Sequence, residues 1–284
     1  MKRGEAGKAK LGVIIPCHND ARYLRRCLAS IKAAAASFDS RILVVIDRCT
    51  DDSLDVTISF GVEPIVKDSS AWRNSTAENL NIGFLRLLER DYVGVIAADT
   101  VLPGNYFLEC LEALKASPQL TSVSGLMFTE RSTFFNSLYS SYETLLERRG
   151  LHHGIRGSGR VYRMAEVRHL YQTIGKVIDD VLAEDSFLDE RLGGARRVLT
   201  DVSCFCIRES GVRKSAKGQF TSGMARRQLG LSLRRLLGEL ARLRFFVILG
   251  FLLYPLVRDP RADSEVAAVR LASSRVKSRE RHSA

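Results

Sequence analysis

Four short apolar runs limit what this chain can fold into. Lys10–Pro16 (KLGVIIP), Arg41–Ile46, Glu63–Val66 and Val93–Ala98 are rich in β-branched residues and end in polar clusters, so they read as buried strands. Between them lie helical stretches: Ala21–Ala36 with Leu24, Leu28 and Ile31 on one stripe, a short one near Ser53–Phe60, and Arg73–Arg90 with Leu80, Phe84, Leu87 and Leu88. Strand and helix alternating over short connections predict a parallel sheet covered on both faces. The strand ends would carry His18, Asp47 and Asp99 to one edge, where open α/β sheets bind ligands. Two local alternatives stay open. Asp99 could instead cap the helix starting near Pro103, and Asn19 or Asp20 would cap the helix after the first strand. Past Gly104 the pattern loosens. A helix is expected over Pro103–Ala116, a strand over Leu120–Phe128 and a helix over Phe134–Arg149. A Gly-broken strand or loop follows over Ile155–Arg163, then a helix over Val181–Leu192 and a strand over Arg197–Ile207.

With 284 residues the chain can bury a substantial core, as one large domain or a domain with an appendage. Six cysteines without a CxxC pair read as buried thiols in a reducing compartment and lack zinc-ligand spacing. Residues 1–10 are polar and basic with no apolar run behind them, so no signal peptide is expected. The net charge of +11 is unevenly placed: basic and acidic residues balance through residue 207, and the whole excess lies beyond it. There, Leu229, Leu233, Leu236, Leu237, Leu240 and Leu243 form an apolar face beside six arginines, Arg226 and Arg227 among them. Phe245–Val257 (FFVILGFLLYPLV) is then apolar throughout, but at about 20 Å as a helix it is too short to span a bilayer alone. The expected organisation is an α/β domain over 1–215 and basic amphipathic helices with a disordered tail over 216–284. Those helices would lie on an anionic membrane surface or pack on the body as a lid. A leucine face without interleaved aromatics argues against nucleic-acid binding.

Four blocks in order resemble the inverting glycosyltransferases of family 2, over roughly Leu11–Gly230. Val13–Asn19 (VIIPCHN) is similar to that family's opening strand with its IPxxN ending. Val44–Ser53 (VVIDRCTDDS) is similar to its VVDDGSTDGS block, and Asp47 matches the acid that binds the nucleobase. Ala97-Ala98-Asp99 is similar to the DxD block with its first acid replaced. Glu184-Asp185, followed by Arg191-Leu192, is similar to the ED…RL block, whose Asp is the catalytic base. Arg73 and Asn79–Gly83 resemble the (R/K)xxAxNxG stretch between the second block and the DxD block.

The resemblance implies a GT-A fold, a Rossmann-like and mostly parallel α/β sheet with helices on both faces, to which the leucine pattern adds C-terminal amphipathic helices. It implies transfer of one sugar, with inversion, from a UDP- or GDP-sugar to a hydroxyl acceptor; the basic and apolar C-terminal region makes a lipid-linked acceptor or a cell-envelope glycan the expectation. Pro16, His18, Asn19, Asp47, Arg73, Asn81 and Asp99 would bind the donor, and Asp99 would hold Mg2+ or Mn2+ against the diphosphate. Asp185 would be the general base, with Glu184, Gly157, Ser158 and Gly159 on the acceptor side. Each has a plainer reading: helix-start charges for Glu184-Asp185, a solvated arginine for Arg73, a tight turn for Gly157–Gly159. The late (Q/R)xxRW block is degraded to Met224–Gly230 without tryptophan. This argues for single transfer rather than polymer synthesis and leaves Arg226 and Arg227 as diphosphate candidates. The expected location is cytoplasmic, peripheral at the inner face of the cell membrane. The alternatives are a retaining GT-A synthase acting on a small phosphorylated acceptor and a non-catalytic nucleotide-binding scaffold.

Overall fold

The computed structural model describes residues 8–149, 158–182, 184–193, 195–209, 220–225, 227–228 and 245–257. Eight strands form one sheet in the order β3-β2-β1-β4-β7-β6-β8-β5. β1 (Lys10–Cys17), β2 (Asp39–Asp47), β3 (Glu63–Lys67) and β4 (Tyr92–Val95) are parallel. β7 (Arg160–Arg163) runs against β4 and against β6 (Leu120–Thr129). β8 (Ala195–Cys206) runs parallel to β6, and the two-residue β5 (Thr100–Val101) pairs antiparallel with its end.

Alternation along the central strands feeds two cores. Leu11, Val13, Ile15, Val44 and Ile46 pack against α1 (Ala21–Ala35), α2 (Ser53–Ser59) and α4 (Tyr106–Ala116). Ile14, Leu43 and Val45 face α3 (Ser75–Arg86), α6 (Met164–Ile174) and α7 (Glu184–Leu192) instead. This is the period-2 division expected of strands buried on both sides. Helix α3 lies close on β1: a Cβ at Gly83 would come within 2.5 Å of Ile14. Helix α5 (Phe134–Arg148) packs on β6.

The expected elements mostly form, with shifted ends. The run Val93–Ala98 stops pairing at Val95, so Asp99 sits in a turn before β5 rather than at a strand end. The helix from Arg73 begins at Ser75, capped by the Asn74 side chain, which accepts from the Thr76 and Ala77 amides. The Gly-broken segment becomes a strand only from Arg160. Helix α6 and strand β5 have no counterpart among the expected elements.

Of the C-terminal region, residues 220–225 and 227–228 are helical, and α8 spans Phe245–Val257. A Cβ at Gly223 would meet the Val247 carbonyl at 1.9 Å, so the two segments cross closely. The Leu182 amide donates to Gln228 Oε1 (3.0 Å), tying this region to the body. Val247, Phe251 and Tyr254 are buried, whereas Leu249, Leu252 and Leu253 face outward. Among the described residues no helix is long and apolar enough to cross a membrane. The leucine stripe and the tail lie outside the described residues.

Candidate active site

The parallel order β2-β1-β4 brings three strand ends to one edge. Pro16 falls two residues past the last β1–β4 pair, Ile14 with Val95, where its missing N–H costs that ladder nothing. His18 Nδ1 lies 2.6 Å from the Asp47 carbonyl, so Nδ1 carries the proton and donates. Asn19 takes a left-handed backbone (φ 54°) and its Oδ1 accepts from the Thr50 amide at 2.7 Å. It therefore clips the loop after β1 to the loop after β2. The expected side-chain cap of α1 by Asn19 or Asp20 is not made. Asp51 accepts from the Ala21 amide (2.9 Å) in its place, and the Asp20 carboxylate turns to Arg208.

Asp47, buried at the end of β2, binds Arg48 Nε and Nη2 at 2.9 and 3.1 Å and accepts from Asn79 Nδ2 at 3.2 Å. Lys67 Nζ is 3.8 Å away. Burial alone would raise this carboxyl. The hydrogen bonds from Arg48 and Asn79 and the charge of Lys67 outweigh it and hold it below the ordinary carboxylate range.

Asp99 hangs from a turn braced from behind. Ser158 Oγ accepts from the Ala97 amide (2.9 Å) and bonds Thr100 Oγ1 (2.8 Å), while the Asp99 carbonyl accepts from the Ile207 amide (2.8 Å). Gly159 takes φ +82°, and a Cβ there would meet the Tyr106 hydroxyl at 2.7 Å. Ser158 and Gly159 were expected to line the acceptor side. Here they support the Asp99 turn; Gly157 lies outside the described residues. Arg208 Nε binds Asp99 Oδ2, and Arg208 Nη2 reaches Asp20 Oδ1 at 2.5 Å. Burial lowers the Arg208 pKa and the two carboxylates raise it; the carboxylates win.

The acid pair sits at the start of α7, tied to the start of α3. Glu184 Oε2 accepts from Asn74 Nδ2 at 2.8 Å, and the Asp180 carboxylate accepts the Arg73 and Asn74 amides at 2.8 and 2.7 Å. Through α3 this anchor connects to Asn79 and Asp47. Asp185 Oδ2 lies 3.5 Å from Arg160 Nη2, and its side chain is 24% exposed. Burial, and then the neighbouring Asp185 charge, push the Glu184 carboxyl up to about 7 despite the Asn74 bond.

Three expected donor contacts have other partners. Asn81 Oδ1 accepts from the Val177 and Ile178 amides at 3.0 and 3.3 Å, which makes it a brace for the loop after α6. The Arg227 guanidinium stands 5.0 Å over the Phe251 ring. Arg73 is exposed and positioned through its amide. Arg226 lies outside the described residues. Arg208, Arg48 and Asn74 were missed as site residues. For Asn74, the asparagine before a helical run was a usable capping signal; Arg48 stands inside the Val44–Ser53 block, next to Asp47, at a position where the family pattern carries no arginine, and Arg208 belongs to no motif. A cleft of about 500 Å³ between α6 and α7, lined by Glu166, His169 and Arg191, lies at the far end of α7 from the acid pair.

The profile of "Glycosyl transferase family 2" matches residues 12–175, more than half of the chain. The chain belongs to glycosyl transferase family 2. No curated protein matches the sequence. Among solved structures this transferase is similar to mannosyltransferase PcManGT from Pyrobaculum calidifontis, in complex with GDP-Man and Mn2+. The identity is 15%, with 95% of this chain and 76% of that one covered at a TM-score of 0.55. It is also similar to glucosyl-3-phosphoglycerate synthase from Mycobacterium tuberculosis, solved with Mn2+, UDP and glucosyl-3-phosphoglycerate. There the identity is 16%, with 80% and 82% covered at a TM-score of 0.54. S. aureus TarS 1-349 in complex with UDP matches at 15% identity, 79% and 67% covered, TM-score 0.51. At these identities the likeness establishes the GT-A fold, and the family establishes a glycosyltransferase.

Among the described residues no group of three or more His, Cys, Asp or Glu is placed to hold a metal. The carboxylate that the DxD-like block offers is Asp99. Its single carboxylate suits the way Mg2+-like ions are held, by one or two carboxylates with substrate phosphates and water.

Proposed function

We propose that this transferase moves a single sugar from a UDP- or GDP-sugar to a hydroxyl acceptor with inversion, Asp185 acting as general base. The observation carrying the reading is the linkage of two expected sites: Asp47 bonds Asn79 on α3, and the Asn74 cap of the same helix bonds Glu184, next to Asp185. A rigid helix thus fixes the distance between the base-binding acid and the acid pair.

In this reading Asp47, kept ionised at neutral pH by Arg48, Asn79 and Lys67, accepts hydrogen bonds from the nucleobase. His18 and Pro16 wall the pocket beside it. A divalent ion held by Asp99 supplies Lewis-acid neutralisation of the leaving diphosphate. Asp185 takes the proton of the attacking hydroxyl. Arg160, buried behind it, donates to the Asp185 carbonyl (3.0 Å) and binds Asp189 (2.6 Å) further along the helix, and so holds α7 in place. An inverting transfer asks no more of the protein than one base and one stabilised leaving group.

The acceptor is proposed to be lipid-linked or an envelope glycan presented at an anionic membrane. Support comes from α8, whose inner face is packed while Leu249, Leu252 and Leu253 point outward, and from the basic excess around it. In this reading the transferase is a cytoplasmic, peripheral protein at the inner face of the cell membrane, with residues 216–284 as the attaching part.

Asp185→Asn tests the mechanism. Turnover of the bound nucleotide sugar should fall roughly 100-fold or more with donor affinity nearly unchanged, since only proton transfer is lost. Near-wild-type turnover would overturn the assignment. The anomeric configuration of the product separates inversion from the retaining alternative.

A further inference from the structure

Arg208 stands outside every motif in the sequence, yet it joins two acids of the donor edge. Strand β8 delivers it: Cys206 pairs with Thr100, and the Ile207 amide donates to the Asp99 carbonyl at 2.8 Å. The Arg208 carbonyl accepts from Asn136 Nδ2 (3.2 Å), and its guanidinium lies 5.2 Å over the Tyr23 ring. Backbone and ring therefore hold the fork between Asp99 and Asp20, whose side chains are only 13% and 10% exposed. Arg22 and Arg26, by contrast, are 69% and 56% exposed and make their ion pairs with Glu209 and Glu130 at the surface.

We propose that Arg208 is a positioning residue that competes with a divalent cation for the Asp99 carboxylate, and so makes metal loading depend on the diphosphate. The proposal rests on the reading above in assigning the metal to Asp99. A carboxylate oxygen bonded to a guanidinium N–H cannot give the same lone pair to a metal. With Arg208 in place, Asp20 and Asp99 together present one net negative charge. Ala97 supplies none where the DxD pattern would carry a second acid. A hard cation that dehydrates reluctantly gains little from so weak a field. A diphosphate changes both sides of the competition. It brings charge and oxygen ligands to the metal, and it offers the displaced fork a bidentate partner. Metal and donor then bind as a unit.

The test is Mn2+ titration of the full chain without nucleotide, read by the EPR signal of free Mn2+. Arg208→Gln should bind Mn2+ about tenfold more tightly than wild type, roughly 1.4 kcal/mol. Arg208→Lys keeps the charge but cannot bridge both acids, and should bind several-fold more tightly than wild type. Saturating UDP or GDP should shrink both differences. Mn2+ affinity equal to or weaker than wild type in either folded variant would overturn the proposal. Nucleotide binding by the wild type is scored separately: its failure would sink the nucleotide-sugar reading, while the Mn2+ comparison alone judges Arg208.

Discussion

Glu184 is held between opposing effects. Burial and the Asp185 charge raise its carboxyl to about 7, from an ordinary 4.5, and the Asn74 amide pulls the other way. The folded state therefore binds this proton more tightly than the unfolded chain does. That contribution to stability is fully present below about 4.5 and is lost as pH rises through about 7. Glu184→Gln removes the titration and keeps an acceptor for Asn74. Wild type should therefore lose melting temperature relative to Glu184→Gln between pH 5 and pH 8; parallel profiles would contradict the account. At this scale the sequence was informative where a residue's chemistry is local. Asp47 and the Glu184-Asp185 pair carry their types and spacing in short blocks. Arg208 and Asn79 acquire their roles only from partners far away in the chain, 109 positions for Arg208–Asp99 and 32 for Asn79–Asp47. Asn81 illustrates the converse: it matches a motif, but its oxygen is taken by the Val177 and Ile178 amides.

Helices and strands with their own period were legible, and those that exist by pairing were not. β1 and β2 were read within two residues of their observed ends because their apolar runs are bounded by polar turns. β5 is two residues long and forms only against β8, so no local pattern marks it. Helix α8 was read as an apolar run too short to span a bilayer. The structure adds that its two faces differ: Val247, Phe251 and Tyr254 are buried, and Leu249, Leu252 and Leu253 are not. That division makes the membrane proposal testable without disturbing the packed face. Replacing the three outward leucines with glutamate should cut co-sedimentation with anionic vesicles severalfold. The melting temperature should change little, because exposed substitutions away from special features usually cost within about 0.5 kcal/mol each. Equal sedimentation of both proteins, or none by wild type, would remove the membrane from the account.

For the molecule as a whole, the parallel pairing of β3, β2, β1 and β4 is what strand-helix alternation predicts, and their order brings the loops carrying His18, Asp47 and Asp99 to one edge. The other half of the sheet, where β7 reverses direction and β8 returns beside β6, was left undefined by the loosened pattern after Gly104. That half delivers Ser158 behind the Asp99 turn and Arg208 in front of it, so the site is completed by the least legible part of the fold. The central claim is that this edge binds a nucleotide sugar through Asp47. It is tested most directly by thermal unfolding of wild type and Asp47→Ala with a panel of UDP- and GDP-sugars in Mn2+. A ligand at about 100 times its Kd adds about 2.7 kcal/mol to the folded state. The account predicts that at least one nucleotide sugar raises the wild-type melting temperature by roughly 5–10 °C and leaves Asp47→Ala unmoved. No shift with any nucleotide sugar, or equal shifts in both proteins, would contradict it.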